Sequence, residues 1–449
     1  MTLRTDAPGP LQRRGPRPLL LHLTLAMLRS SVSRAASLHW KHGWPSSNEA
    51  MLAAIRDALA QGLAGAHPGG GLDARSPMGG QEASPQGGES QGAARQGAAF
   101  PGPAFPGPAF PGPAFPGAVL AETLRQDAAL IEGIAAYRRH PWHRDLADPP
   151  AIWVEGSSRL LDYGGSGPAV LFVPSLVNRA YVLDLAPGHS MLRWLAAHGV
   201  HPLLLDWGWP GEPERRFTMT DYVAGRMERA MAAAGPGTVL AGYCMGGTLA
   251  VAAAQRRPDL VRALALLAAP WDFHAPDPVR AIQAAEMLPL LEPALAFNQT
   301  LPVDLLQVLF ALLDPWGVAD KYRGFARLDP SSERATLFVA LEDWLNDGIP
   351  LAAPVARECL GGWYGANTPA RGEWRIAGLP VDPAALRLPT FVAAPGRDRI
   401  VPQESARPLA GLIPGAVLHE PAAGHIGMAA GHTAERVLWQ PFGDWLRAL

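Results

Sequence analysis

The amino-acid sequence predicts an α/β fold: a mostly parallel, doubly wound sheet covered by helices on both faces. A helical insertion caps one edge of it, and a helical, low-complexity extension precedes it. Three observations carry this. From Ala169 onward, short apolar β-rich runs alternate with segments of helical period, the pattern of strands buried on both faces. The uncharged stretch Ala230 to Gln255 is long enough to span a bilayer, yet it contains Pro236 and five glycines. It reads as strand, Gly-rich turn and Ala-rich helix, hence as buried core. Residues 275–385 break the alternation with helix-like, Trp- and Pro-containing sequence and no clear strand, which predicts a cap over the sheet's carboxyl edge.

In order along the chain, residues 17–66 read as helical and close at Gly69, Gly70 and Gly71. Pro18 to Leu28, behind Arg13, Arg14 and Arg17, has the outline of a signal peptide. His22 interrupts its apolar run and Arg29 and Arg34 follow closely, so an amphipathic helix is the expectation. Across 67–118 Gly, Pro, Gln and Ser dominate, and Ala-Phe-Pro-Gly recurs at 99, 104, 109 and 114. Such a tract buries too little apolar surface to offset its ordering entropy and is expected to be a semi-extended linker. Its phenylalanines leave a partner-binding arm as the other reading.

The expected elements then run as a helix Val119–Arg139, a hairpin of Ile152–Glu155 with Arg159–Tyr163, and a strand Ala169–Val173. A helix Ser190–His198, strand Pro202–Asp206, helix Thr220–Ala234, strand Thr238–Tyr243, helix Gly246–Gln255 and strand Ala263–Leu267 follow. After the insertion come strand Thr390–Ala394, a helix from Gln403, strand Ala416–Glu420 and helix Ala434–Ala448. The expected organisation is thus 1–66 helical, 67–118 linker, and 119–449 a catalytic domain with its cap at about 275–385.

Composition excludes several classes. With 38 Lys+Arg against 40 Asp+Glu the net charge is -2, which argues against a nucleic-acid-coating protein. All but two of the basic residues, Lys41 and Lys321, are arginine; with the Ala, Gly and Pro load this matches a GC-rich coding bias. Two cysteines, Cys244 and Cys359, exclude a disulfide framework, and no paired Cys/His spacing indicates a metal. A reduced, cytoplasmic setting fits best.

The chemistry centres on Gly242-Tyr243-Cys244-Met245-Gly246-Gly247, which follows a β run and opens a helix. This is the nucleophile elbow of the α/β-hydrolase fold with Cys in place of Ser. Small neighbours are needed there because strand and helix backbones approach closely at a strained turn. At a helix N-terminus the thiol also feels the dipole end that favours thiolate. In this fold acid and base follow the nucleophile, each beyond a later strand. Asp398 lies just past Thr390–Ala394 and His425 just past Ala416–Glu420. The Met245 amide is one expected oxyanion donor and the Leu176 amide, in the turn after Ala169–Val173, the other. Trp271 and His274 follow a core strand's carboxyl end, where such sheets place ligands, and are the candidate substrate contacts. Cys359 sits in helical cap sequence and reads as a packing residue.

Residues 150–430 resemble the polyhydroxyalkanoate synthases. The resemblance rests on Val173-Pro174-Ser175-Leu176-Val177-Asn178-Arg179 with Tyr181 and Asp184-Leu185, on Ser190 with Arg193-Trp194-Leu195, and on Asp206-Trp207-Gly208 with Pro210 and Asp221-Tyr222. It continues through the elbow, Asp398-Arg399-Ile400-Val401-Pro402 and Gly424-His425-Ile426. Glu342 and Trp344 in the cap are similar to the two-component synthases; the N-terminal region and linker match neither the one-component enzymes nor the compact catalytic subunits.

The resemblance implies an acyltransferase that polymerises 3-hydroxyacyl-CoA through a Cys244 thioester, with His425 as base and release of CoA. Asp398 would either orient His425 or help to deprotonate the 3-hydroxyl of the next unit. No metal or organic cofactor is implied, coenzyme A being part of the substrate. The implied partners are the polyester granule surface and either a second copy or an accessory subunit. Two alternatives stand beside it: a Cys-dependent hydrolase (an intracellular polyester depolymerase, a thioesterase or a dienelactone-hydrolase relative, which shares the elbow), and a non-catalytic granule protein adhering through 1–118.

Overall fold

The computed structural model describes residue 13 and residues 15–38, 114–275 and 277–449. The expectations for 39–113, the later part of the helical N-terminal region and nearly all of the linker, lie outside the described residues. Residues 13 and 15–27 group with Gln126–Leu449 in one compact unit, and a smaller unit comprises Leu28–Arg125. Of the smaller unit, residues 28–38 and 114–125 are described; within it Arg34 Nε donates to Thr123 Oγ1 at 3.1 Å. Helix α1 is Leu19–Leu38 and α2 is Ala114–Arg139. Helix α2 therefore starts at the first residue of the last Ala-Phe-Pro-Gly repeat and takes in residues 114–118, which composition assigned to the linker. Proline is tolerated in a helix's first turn, where its missing N–H has no acceptor to lose.

The large unit is built on an eight-stranded sheet of β1 (Ala151–Glu155), β2 (Ser158–Asp162), β3 (Ala169–Val173), β4 (His201–Asp206), β5 (Thr238–Tyr243), β6 (Val261–Leu267), β7 (Thr390–Ala393) and β8 (Val417–His419). Their spatial order is β1-β2-β4-β3-β5-β6-β7-β8. The β1–β2 and β2–β4 pairs are antiparallel, and every other pair is parallel. Strands β3, β5 and β6 are the most apolar and lie in the middle, as burial on both faces requires. Each fully buried Val or Leu there is worth roughly 1.5–3 kcal/mol.

Helix α3 (Met191–Ala197) begins where Ser190 caps it, its hydroxyl accepting from the Arg193 amide at 3.1 Å. The helix expected over Thr220–Ala234 is divided: Asp221–Met227 is π-helical and α4 (Glu228–Ala234) is α-helical. Helix α5 is Met245–Arg256. The segment after β6 is helical, as expected: α6 (Pro278–Glu286), α7 (Leu288–Asn298), α8 (Val303–Leu313), α9 (Gly317–Phe325), α10 (Glu333–Asn346) and α11 (Ala353–Arg357). It also contains two strand pairs of two residues each, Thr300–Leu301 with Leu351–Ala352 and Arg375–Ile376 with Leu379–Pro380, too short to leave a period-2 signal.

The first half of α1 and the second half of α2 pack on the cap. Ala26, Leu130, Ile134 and Tyr137 share a core with Ala319, Tyr322 and Phe325 of α9 and Ala335 and Val339 of α10. Asp343 on α10 accepts from Arg13 Nε at 2.8 Å and from the Tyr137 hydroxyl at 2.8 Å. Arg13 also donates to the carbonyls of His140 and Trp142. Among the described residues no helix is long and apolar enough to cross a membrane.

Candidate active site

Cys244 links β5 to α5 with φ 56° and ψ -131°, a conformation that costs a non-glycine residue of order 1–3 kcal/mol. The bonds from the Cys244 amide to the Leu267 carbonyl, 2.9 Å, and from the Gly247 amide to the Cys244 carbonyl, 2.8 Å, hold it there. The glycines around it answer to close backbone approach. A Cβ on Gly242 would lie 2.3 Å from Gly247 Cα, and one on Gly246 would lie 2.0 Å from the Val173 carbonyl oxygen. The elbow is thus pressed against the turn after β3.

Asp398 and His425 stand on the loops that follow β7 and β8. Those loops are zipped together by bonds from the Gly396 amide to the Pro421 carbonyl and from the Arg397 amide to the Ala423 carbonyl, each 3.0 Å. One Asp398 oxygen, Oδ1, accepts from the amides of Ile400 at 2.8 Å and Val401 at 2.9 Å; the other, Oδ2, lies 2.6 Å from His425 Nδ1. Both side chains are buried. The Tyr243 hydroxyl donates to the His425 carbonyl at 3.2 Å, so the residue before Cys244 braces the residue that faces it. Burial by itself disfavours the imidazolium. The charges of Cys244 and Asp398 and hydrogen bonds to both side chains outweigh it, and the His425 pKa is pushed up to about 10. The structure therefore brings Cys244, His425 and Asp398 into one chain of contacts.

Met245 opens α5, so its amide belongs to the first-turn N–H groups that have no intrahelical acceptor. Leu176 is buried in the turn after β3, between Ser175 and Val177, which line the same cavity as Cys244. That cavity has a volume of about 250 Å³. Cys244, Tyr243 and His425 form its floor, and Gln307, Phe310 and Leu313 of α8 with Trp344 and Leu345 of α10 come from the cap. Arg179 and Arg399 are on its wall, paired with Asp347 and Asp314. The Trp344 indole donates to the Arg179 carbonyl at 2.7 Å, and the Ile349 amide to the Val177 carbonyl at 3.2 Å, which tie the cap to the turn after β3.

Trp271 and His274 are not on that wall. Trp271 is buried edge-to-face against Trp374, and His274 Nε2 lies 2.9 Å from the Tyr364 carbonyl oxygen. They do follow β6, as the sequence indicated, but their side chains turn into packing beneath the cap. Cys359 packs against the core, and burial followed by the Glu358 charge pushes its thiol well up from the ordinary range. The roof residues Phe310 and Leu313 were not foreseen, since helical sequence in an insertion does not say which face looks inward.

Residues 168–430 match the family described as the alpha/beta hydrolase fold, and the chain belongs to that family. Within it, the chain is similar to poly(3-hydroxyalkanoate) polymerase subunits. The one from Haloferax mediterranei is 30% identical over 309 residues, 66% of this chain and 62% of that protein. Those of Allochromatium vinosum and Synechocystis sp. are each 28% identical over 62% of this chain, covering 80% and 77% of their own lengths. The chain thus matches less than two thirds of the haloarchaeal relative and about four fifths of the other two.

Proposed function

We propose that this protein is an acyltransferase of the polyhydroxyalkanoate synthase type, extending a polyester from 3-hydroxyacyl-CoA through a Cys244-bound thioester. The observation that carries the reading is the Cys244–His425–Asp398 contact chain at the floor of a roofed, largely apolar cavity. The Cys244 sulfur attacks the acyl carbonyl, the bond to the CoA sulfur breaks, and His425 gives the departing thiolate its proton. His425 then takes the proton of a 3-hydroxyl as that oxygen attacks the acyl-Cys244 carbonyl. An ester forms and the Cys244 sulfur leaves. Exchange of thioester for thioester keeps the acyl group activated, which a serine ester would not.

Asp398 is assigned to orienting His425. Its Oδ1 accepts from two amides and its Oδ2 faces the imidazole, which supports the orienting role over activation of a substrate hydroxyl. Amides of Met245 and Leu176 are the donors for the developing oxyanion. A cavity of about 250 Å³ has room for a short 3-hydroxyacyl group. The Arg179 and Arg399 guanidiniums suit the phosphates of a CoA ester waiting at the mouth. Val177, Val182, Phe310, Leu313 and Ile426 lining the cavity disfavour water there, which favours transfer to a hydroxyl over hydrolysis. No cofactor enters the scheme. It calls for a cytoplasmic protein at the surface of a growing granule, acting as a dimer or with an accessory subunit.

The test is the purified protein with 3-hydroxyacyl-CoAs of graded chain length, with free acid and polymer resolved. Expected is CoA release with insoluble polymer from the four-carbon substrate, falling with chain length and abolished in Cys244→Ala. CoA release that yields only free acid overturns the polymerase reading, and activity retained in Cys244→Ala overturns the nucleophile.

A further inference from the structure

Away from the cavity, three side chains from distant parts of the sequence converge. His189 stands just before α3 and Glu333 is the first residue of α10 in the cap. His432 lies between α-helical Gly427–Ala430 and the C-terminal helices, on the chain that carries His425. One donor atom from each lies within 4.8 Å of the others. Glu333 Oε1 is 3.5 Å from His189 Nε2 and 3.7 Å from His432 Nδ1. The two imidazoles meet edge to face, with centroids 5.6 Å apart.

Those separations are long for hydrogen bonds. They are close to the roughly 3.4 Å between donors that bonds of about 2.0–2.1 Å give around a tetrahedral zinc ion. His189 is buried, and its Nδ1 has no hydrogen-bond partner among the described residues. The Glu333 side chain is largely exposed and free to close the remaining few tenths of an ångström.

We propose that His189, Glu333 and His432 form a transition-metal site, best suited to zinc, that fastens cap helix α10 to the body of the molecule. Two neutral imidazoles and one carboxylate are a donor set that zinc, cobalt and nickel accept, with a fourth position left to water. The consequence is mechanical. Helix α10 carries Glu333 at its start and Trp344 and Leu345, both on the cavity wall, near its end. A metal bridging Glu333 to His189 and His432 anchors the roof at the far end of the same helix. None of the three lines the cavity, so the site is separate from the chemistry at Cys244.

The experiment uses tag-free, chelator-stripped full-length protein titrated with Zn²⁺ by calorimetry and with Co²⁺ by visible absorption. Expected is one ion per chain, visible Co²⁺ bands of a four- or five-coordinate site, and a Tm that rises with Zn²⁺. His432→Ala and Glu333→Gln, both at exposed positions, should each weaken binding at least roughly tenfold and abolish the Tm rise. Wild type and both variants titrating alike overturns the proposal. So does zinc binding that survives in both variants and vanishes when Cys244 is alkylated, since the ion would then sit at the elbow.

Discussion

His425 faces a sulfur on one side and a carboxylate on the other, and both act on a single proton equilibrium. Its pKa is pushed from an ordinary value near 6.5 to about 10, because the Cys244 and Asp398 charges outweigh the burial that opposes them. A group whose pKa is raised on folding contributes stability that is full below the unfolded value and lost as pH climbs through the folded one. The difference in unfolding free energy between wild type and His425→Gln is therefore expected to be largest below about pH 6.5 and to shrink toward pH 10. In Asp398→Asn that window narrows from its upper end, while kcat falls by roughly 10⁴-fold with KM little changed. Urea unfolding across the pH range and steady-state CoA release measure the two. An Asp398→Asn protein with normal kcat removes Asp398 from its orienting role. These three residues were legible before any coordinates, because a glycine-flanked Cys between strand and helix, with Asp and His past later strands, leaves few other readings. Trp271 and His274 were legible only in position: a strand's end says where a residue starts, not where its side chain turns.

Between elements, a tight constraint lies where α5 meets the turn after β3. The three nearest contacts of a Gly246 Cβ, the Val173 oxygen at 2.0 Å, the Pro174 oxygen at 2.6 Å and the Val173 carbonyl carbon at 2.7 Å, are all backbone, so no rotamer change can relieve them. Gly246→Ala must push the elbow away from the segment holding Leu176. The expected result is a stability loss of at least about 1–3 kcal/mol together with a fall in kcat. Thermal melts and CoA release check it; an unchanged melt with normal kcat would mean that the two segments are not so closely coupled. The sequence pattern located the core strands to within a residue or two, since each is a continuous apolar run between polar turns. It could not locate the π-helical stretches at Asp221–Met227, Glu358–Gly365 and Glu435–Trp439, which differ from α-helix in hydrogen-bond register and not in composition. Nor could it find His189, Glu333 and His432, whose spacing follows no local ligand pattern and whose meeting depends on where the cap lands.

Across the whole molecule, residues 13 and 15–27 behave as part of the large unit. Arg13 reaches Asp343 and two carbonyls, Arg17 reaches Asp304 at 2.8 Å, and the Arg17 amide donates to Asn346 at 2.9 Å, so both α8 and α10 are held from the N-terminal side. Arg13→Ala leaves Asp343 partly buried with Tyr137 as its side-chain partner among the described residues. It should cost about 1.5–3 kcal/mol, read as a lower urea midpoint at constant m-value. A midpoint equal to wild type would mean that the arm does not brace the cap. Reading 1–66 as a separate helical region missed this, because composition reports the tract that follows and is silent on what the preceding helix touches.

The helical roof enters and leaves the body between two strands that are immediate neighbours, with Ala265 opposite Phe391 and Leu266 opposite Val392. The sheet closes behind it as though nothing had been inserted. Such a module can be traded between related chains without altering the register beneath. A donor roof must, however, bring its own partners for Arg13 and Arg17, or arrive unlatched.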